Sequence, residues 1–284
     1  MKQTLLDKVN IFLLKKGFTI KNLTRTCFDV LARRHEQILL IKVLEDANAI
    51  SREYAAEMLA VSSYINASPL IIAEKRLEDN IVYSRFDIHT LNYSTFANCV
   101  NNRFPFIKRS KAGLTASIIG EKLKKKREEV GYSLNAMSKK IGVTSRMIMK
   151  YENENSEVTI NRAMKIYDLF GHHVFNEINV FMQQGHPKSK FETEVSRKYG
   201  ELGFDAADTK RTPFDIIARK DDEIILTEVS DKVNPQMQSL SKLLDADNLV
   251  IFNKKKPSNI PSMTKKEFMD FEKANKLVKF LKEF

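Results

Sequence analysis

Two stretches of the chain, 186 residues apart, match each other without a gap. GFTIKNLTRTCFDVLARRHEQILLIKV, over 17–43, aligns with GFDAADTKRTPFDIIARKDDEIILTEV, over 203–229. Gly17-Phe18 meets Gly203-Phe204, Phe28-Asp29 meets Phe214-Asp215, and Ala32-Arg33 meets Ala218-Arg219. Such a duplication constrains the whole molecule. Whatever fold one copy adopts the other shares, and the segment between them is a separate body.

Each copy predicts the same order of elements. Leu5, Val9, Phe12 and Leu13 fall on one helical face, as do Phe191, Val195 and Tyr199. Gly17 and Gly203 would end those helices in the left-handed conformation. FDVLARR and ILLIKV then read as two strands, as do FDIIARK and IILTEV, joined by His35-Glu36 and Asp221-Asp222. A helix over 51–65 or 234–244 follows, then the apolar strands PLIIAE or NLVIFN, then a last helix near 94–100 or 264–281. This order packs as a mixed sheet flanked by helices.

The middle differs. NNRFPFIKRSKAG reads as a basic linker into it and QQGHPKSK as a linker out. From 114 to 183 no strand pattern stands out, and five helices are expected. IGEKLKKKREEVG has Ile119, Leu123 and Val130 facing inward. SLNAMSKKIG is capped by Ser133 and closed by Gly142. VTSRMIMKYEN is capped by Thr144, and TINRAMKIYDLFG lies between Thr159 and Gly171. VFNEINVFMQQ is the fifth. The expected division is 1–105, 113–183 and 188–284.

Charge is informative through its distribution. Lys+Arg 47 against Asp+Glu 36 leaves +11, which suits a polyanionic partner. Lys108, Arg109, Lys111, Lys122, Lys124, Lys125, Lys126, Arg127, Lys139, Lys140, Arg146 and Lys150 crowd one region, opposed before Glu152 only by Glu121, Glu128 and Glu129. Phosphate neutralisation is the obvious use, and it predicts steep salt dependence. A solvated lysine face is the plain alternative. Cys27 and Cys99 are too few for a disulfide framework or a cysteine-rich zinc site. The five histidines lack ligand spacing. No signal peptide and no membrane span is legible, so a cytoplasmic protein without cofactor or metal is expected.

Ser133…Ile141-Gly142-Val143-Thr144…Ile148…Tyr151-Glu152 resembles the Cro/C1-type helix-turn-helix of phage repressors. Leu134 stands where that family often has a phosphate-contacting Gln, and Glu154 replaces a common Gly. The resemblance implies that helix 144–152 enters the major groove of duplex DNA. Ser145, Arg146, Met149 and Lys150 would then face bases, with Arg146 suited to guanine and Met149 to a thymine methyl. Thr144, Asn135, Lys139 and Lys126 would meet phosphates. Arg127 and Glu152 would form a structural pair, and the protein would act as a homodimer on paired half-sites.

The flanking copies resemble the PD-(D/E)xK nuclease superfamily, in which an Asp and the acid of E-x-K bind a divalent cation near a Lys. The first copy has Asp29 and Lys42, with Leu40 where the second acid belongs. The second has Asp215, with Leu226 in place of the acid and Glu228 in place of the lysine. Leucine offers no oxygen to a hard cation. No catalytic residue is therefore assigned, although Glu192, Glu194 or Glu228 could in principle supply a ligand. Over most of its length, through the opening pattern TLL…GF…FDVLARR…LLIKVL and the central domain, the chain resembles an archaeal family of HTH-type transcriptional regulatory proteins. That resemblance implies a sequence-specific DNA-binding regulator whose nuclease-like copies serve dimerisation or backbone contacts. A metal-dependent structure-specific or restriction-type endonuclease is the alternative, and an architectural DNA-binding protein a third reading.

Overall fold

The computed structural model describes residues 2–110, 113–182, 185–257 and 259–283. Lys111, Gln183 and Gln184 lie outside the described residues. Two compact units emerge: one joins 1–71 to 181–284, and the other is 72–180. These units cut the chain differently from the expected three segments, because the first copy contributes to both.

The first copy opens with α1 (Lys2–Lys15), which buries Leu5, Val9 and Leu13. Gly17 (φ +79°) turns the chain, and the Phe18 N–H reaches back to the Leu13 carbonyl. β1 (Thr19–Asn22), β2 (Val30–Arg34) and β3 (Gln37–Val43) pair antiparallel in that order. The β2–β3 hairpin closes between Arg34 and Gln37 around His35, whose φ is +53°. α2 (Arg52–Tyr64), capped by the Ser51 hydroxyl, leads to β4 (Ser68–Ile72) next to β3.

The second unit begins with the antiparallel pair β5 (Ile81–Arg85) and β6 (Ile88–Leu91), followed by α3 (Tyr93–Val100). Part of the expected basic linker is instead β7 (Ile107–Ser110), which pairs parallel with β5 and antiparallel with β8 (Gly113–Ser117). Four α-helices follow: α4 (Gly120–Glu129), α5 (Leu134–Ile141), α6 (Ser145–Asn153) and α7 (Ile160–Phe170), with β9 (Glu157–Thr159) between the last two. β9 pairs with β8.

Three expectations for this unit are corrected. The fifth helix does not form. Beyond a 3-10 turn at His172–Val174, the Asn176 N–H donates to Ser117 and the Ile178 N–H to Pro105. Those backbone groups are drawn to neighbouring strands instead of to a helical turn. The strands β8 and β9 were illegible because each is five residues or fewer. Val130 is 51% exposed, since α4 ends at Glu129; Ile118, just before the helix, fills the core with Leu123.

The second copy returns the chain to the first unit. α8 (Glu194–Glu201) starts after Phe191, whose ring rests on Gly200. β10 (Asp205–Asp208), β11 (Ile216–Lys220) and β12 (Glu223–Val229) repeat the order and register of β1–β3. α9 (Pro235–Leu244) and β13 (Asp247–Phe252) follow, and β13 lies parallel to both β12 and β14 (Ser262–Thr264). The single closing helix expected here is two, α10 (Lys265–Met269) and α11 (Ala274–Lys282).

Within the first unit the copies bind each other through equivalent groups. Arg33 of β2 donates to the Leu243 carbonyl at the end of α9 (2.9 Å), and Arg219 of β11 donates to the Tyr64 carbonyl at the end of α2 (3.0 Å). Each guanidinium is also braced on its own hairpin, at His35 O or Asp221 O. A helix C-terminus carries unpaired carbonyls and partial negative charge, so an arginine there supplies donors and charge together. The Cys27 N–H donates to the Arg211 carbonyl (2.8 Å). Glu57 of α2 accepts the N–H groups of Lys210 and Arg211.

Candidate nucleic-acid interface

The short helices of the second unit are assembled by caps. The Ser133 hydroxyl accepts the Ala136 N–H, which starts α5 (3.1 Å). Gly142 ends α5 at φ +80°, and its N–H and that of Val143 both return to Ser138. Thr144 then caps α6 through the Met147 N–H (3.2 Å). The turn between α5 and α6 is therefore closed at both ends by side-chain or glycine chemistry. Lys165 of α7 donates to the Ile141 carbonyl (3.1 Å), adding a cation at the α5 C-terminus.

One face of α6 is locked inward. Ile148, Tyr151 and Glu152 are buried, and Val143 packs against the same core. Arg127 of α4 grips Glu152 bidentately, Nε to Oε1 at 2.6 Å and Nη2 to Oε2 at 3.0 Å. Its Nη1 satisfies the Tyr132 carbonyl (2.9 Å). The Glu152 hydrogen bond raises the Arg127 pKa, so the guanidinium stays charged in its buried place. Removing one partner of such a pair costs about 3–5 kcal/mol, because the other charge is left buried alone. Gly120 is the tightest point: a Cβ there would lie 2.4 Å from the Glu152 carbonyl oxygen.

The opposite face of α6 is open. Arg146, Met149 and Lys150 are exposed, Met149 by 49%. Arg146 has no hydrogen-bond or ion-pair partner among the described residues, and Lys150 approaches Glu154 at 4.0 Å. Ser145 is half-buried at the edge of this face, with its hydroxyl 3.4 Å from that of Ser138. Of the residues expected at phosphates, Thr144, Asn135 and Lys139 are exposed, while Lys126 is held by Glu129 at 2.6 Å. Leu134 packs against the core, and Glu154 continues in extended conformation (φ −130°) where no glycine is needed.

The nuclease-like centres are built alike and lack the same ligand. Asp29 and Asp215 stand just before β2 and β11, where Oδ2 accepts the N–H of Val43 (2.8 Å) or Val229 (2.7 Å). Leu40 and Leu226 are fully buried. In the first copy, Lys42 (3.3 Å) and Lys2 (3.2 Å) both contact Asp29 Oδ1. The carboxylate is thus fully engaged by protein donors, and the two ammonium groups supply the positive charge that a cation would bring. In the second copy, Glu228 accepts the Asn234 N–H (2.8 Å), and burial, with Asp215 nearby, raises its pKa. Glu192 pairs with Lys190 and Lys210, and Glu194 with Lys265. The first copy's donor set, an aspartate met by two ammonium groups, does not fit a divalent cation, and no group of three or more His, Cys, Asp or Glu able to hold a metal ion occurs among the described residues. Cys27 is buried and its thiol is pushed up to about 12, which removes it as a nucleophile.

Comparison with known proteins places both architectures. Residues 2–105 match the PD-(D/E)XK superfamily domain, and 123–171 match a helix-turn-helix. A Methanosarcina acetivorans protein described as "Putative HTH-type transcriptional regulatory protein" is 30% identical over 99% of this chain and 97% of its own length. The chain belongs to that family. Members from Methanosarcina barkeri (30%) and Methanocaldococcus jannaschii (27%) carry the same description and are covered equally. No solved structure matches the chain significantly. This member of the family thus combines a helix-turn-helix with a PD-(D/E)XK superfamily domain in one chain. No helix among the described residues is long and apolar enough to cross a membrane.

Proposed function

We propose that the chain is a sequence-specific, duplex-DNA-binding transcriptional regulator that reads its site with α6. The observation that carries this reading is the exposed Arg146–Met149–Lys150 face on a helix whose other side is pinned by Ile148, Tyr151 and the Glu152–Arg127 pair. In the major groove Arg146 donates bidentately to a guanine, Met149 touches a thymine methyl, and Lys150 and Ser145 contact neighbouring base edges. Thr144, Asn135 and Lys139 meet flanking phosphates, and Lys126 joins them on leaving Glu129. The nuclease-like copies are catalytically degenerate and serve assembly or backbone contacts. Two chains occupy paired half-sites, joined through a surface other than the one the copies already use on each other.

The test is retention of labelled genomic fragments by the full chain, with and without Mg²⁺. Selective retention of a few intact fragments is expected. Arg146→Ala should cost about 1–3 kcal/mol at those fragments while leaving non-specific binding nearly unchanged. Metal-dependent cutting would overturn the degenerate-site reading in favour of an endonuclease. Uniform retention without cutting would point to an architectural protein.

A further inference from the structure

Residues 107–117 contain basic side chains and no carboxylate. The structure forms from them a hairpin, β7–β8, paired from Ile107↔Ala116 to Ser110↔Gly113. That hairpin is tied to the segment directly following α6. β8 pairs with β9 from Thr115↔Thr159 to Ser117↔Glu157, and the Ile118 N–H donates to Ser156 (2.8 Å). The Lys108 ammonium is paired with Glu157. The base of the hairpin, at Ser117, is therefore fixed beside the segment that follows α6, and Arg109, opposite Leu114, lies beyond the Thr115–Thr159 pair, towards the start of α7. β5 covers β7 only at Ile107 and Lys108. Beyond Lys108 no strand among the described residues pairs with that edge of β7. Arg109 is exposed, with no ion pair among the described residues.

We infer that the β7–β8 hairpin is a second DNA-binding element, with Arg109 gripping a phosphate that flanks the bases read by α6. This rests on the reading of α6 as the recognition helix. Charge complementarity selects the partner: the hairpin has the same sign as the surface of α4 and α5, and DNA is a continuous polyanion. A guanidinium suits this contact because its planar fork matches two phosphate oxygens at once. A framed strand also presents it without the ordering cost of a free linker.

The test uses the full chain on a fragment selected by the wild type, with salt titration and hydroxyl-radical footprinting of Arg109→Glu, Arg109→Lys and Arg146→Ala. Arg109→Glu should weaken binding about tenfold and lower the slope of log affinity against log salt by about one. It should shorten the footprint on one side and leave fragment preference intact. Arg109→Lys should restore the slope. Unchanged affinity, slope and footprint in Arg109→Glu would overturn the hairpin assignment while leaving α6 in place. Loss of slope in Arg109→Glu with no loss of preference in Arg146→Ala would instead sink the α6 reading and keep the hairpin.

Discussion

Asp29 and Asp215 carry the same backbone bond at the same place, yet the residues around them have diverged, and the difference is electrostatic. Asp29 faces two ammonium groups, whereas Asp215 faces Glu228. Glu228 has its pKa raised by burial, so its charged form is disfavoured in the fold. A carboxyl group with a raised folded pKa favours folding while protonated, and that contribution is lost as pH rises through the folded value. Glu228→Gln should therefore raise the melting temperature at neutral pH. The gain should shrink as pH falls and the native carboxyl takes up its proton. A thermal series across pH checks this; a gain constant with pH would mean that charge is not the cause. The second-copy centre was partly legible in sequence, since Leu226 and Glu228 break the E-x-K pattern by identity alone. The use of Lys2 against Asp29 was not. Its partner lies 27 residues away, and no local spacing announces the contact.

Among the elements, the helices capped by Ser51, Ser133 and Thr144 were legible to within a residue. Ser51, Ser133 and Thr144 each accept the N–H three residues on. The hairpin turns were equally plain, with His35 and Asp221 in matching left-handed positions (φ +53° and +54°). What failed were segments whose structure is decided by distant partners: β8, β9 and the irregular chain after Val174. The residues on the open face of α6 were legible because Ile148 and Tyr151 fix its buried face by periodicity. Gly120 was overlooked, although a glycine opening a lysine-rich helix was a signal. With a Cβ only 2.4 Å from the Glu152 carbonyl, α4 and α6 must move apart to accept any side chain. Gly120→Ala is expected to destabilise the helix-turn-helix unit by about 1–3 kcal/mol, the usual range for overpacking. It should also loosen the Arg127–Glu152 pair. Hydrogen exchange of the α4 and α6 amides would show it, and unchanged protection would mean that the two backbones have room to adjust.

At the scale of the whole molecule, the duplication was the most legible feature, and its consequence the least. The copies were expected as two separate domains; a large part of the first instead packs with the second in one unit. Repeat matching shows that two bodies share a fold, but it is silent on which surfaces they bury. Arg33 and Arg219 are the reciprocal anchors, and the double variant Arg33→Ala/Arg219→Ala removes the guanidinium donors from the Leu243 and Tyr64 carbonyls. With protease sites placed at 111–112 and 183–184, the wild-type outer fragments should stay together on gel filtration after cleavage. Those of the double variant should separate at lower denaturant. Co-elution with unchanged midpoint would show that the arginines are dispensable. The same internal pairing bears on how this chain can change. In a symmetric homodimer every substitution at the interface appears twice, so a contact and its mirror image rise or fall together. Here each appears once. Cys27 gives its N–H to Arg211, while the equivalent of Cys27 is Pro213, which has no N–H to return. Glu57 holds the 210–211 backbone, while the residue at the same distance from the end of α9 is Met237, which has no carboxylate. A tethered partner is present at any dilution, so one half is free to keep the pairing while the other acquires a new task.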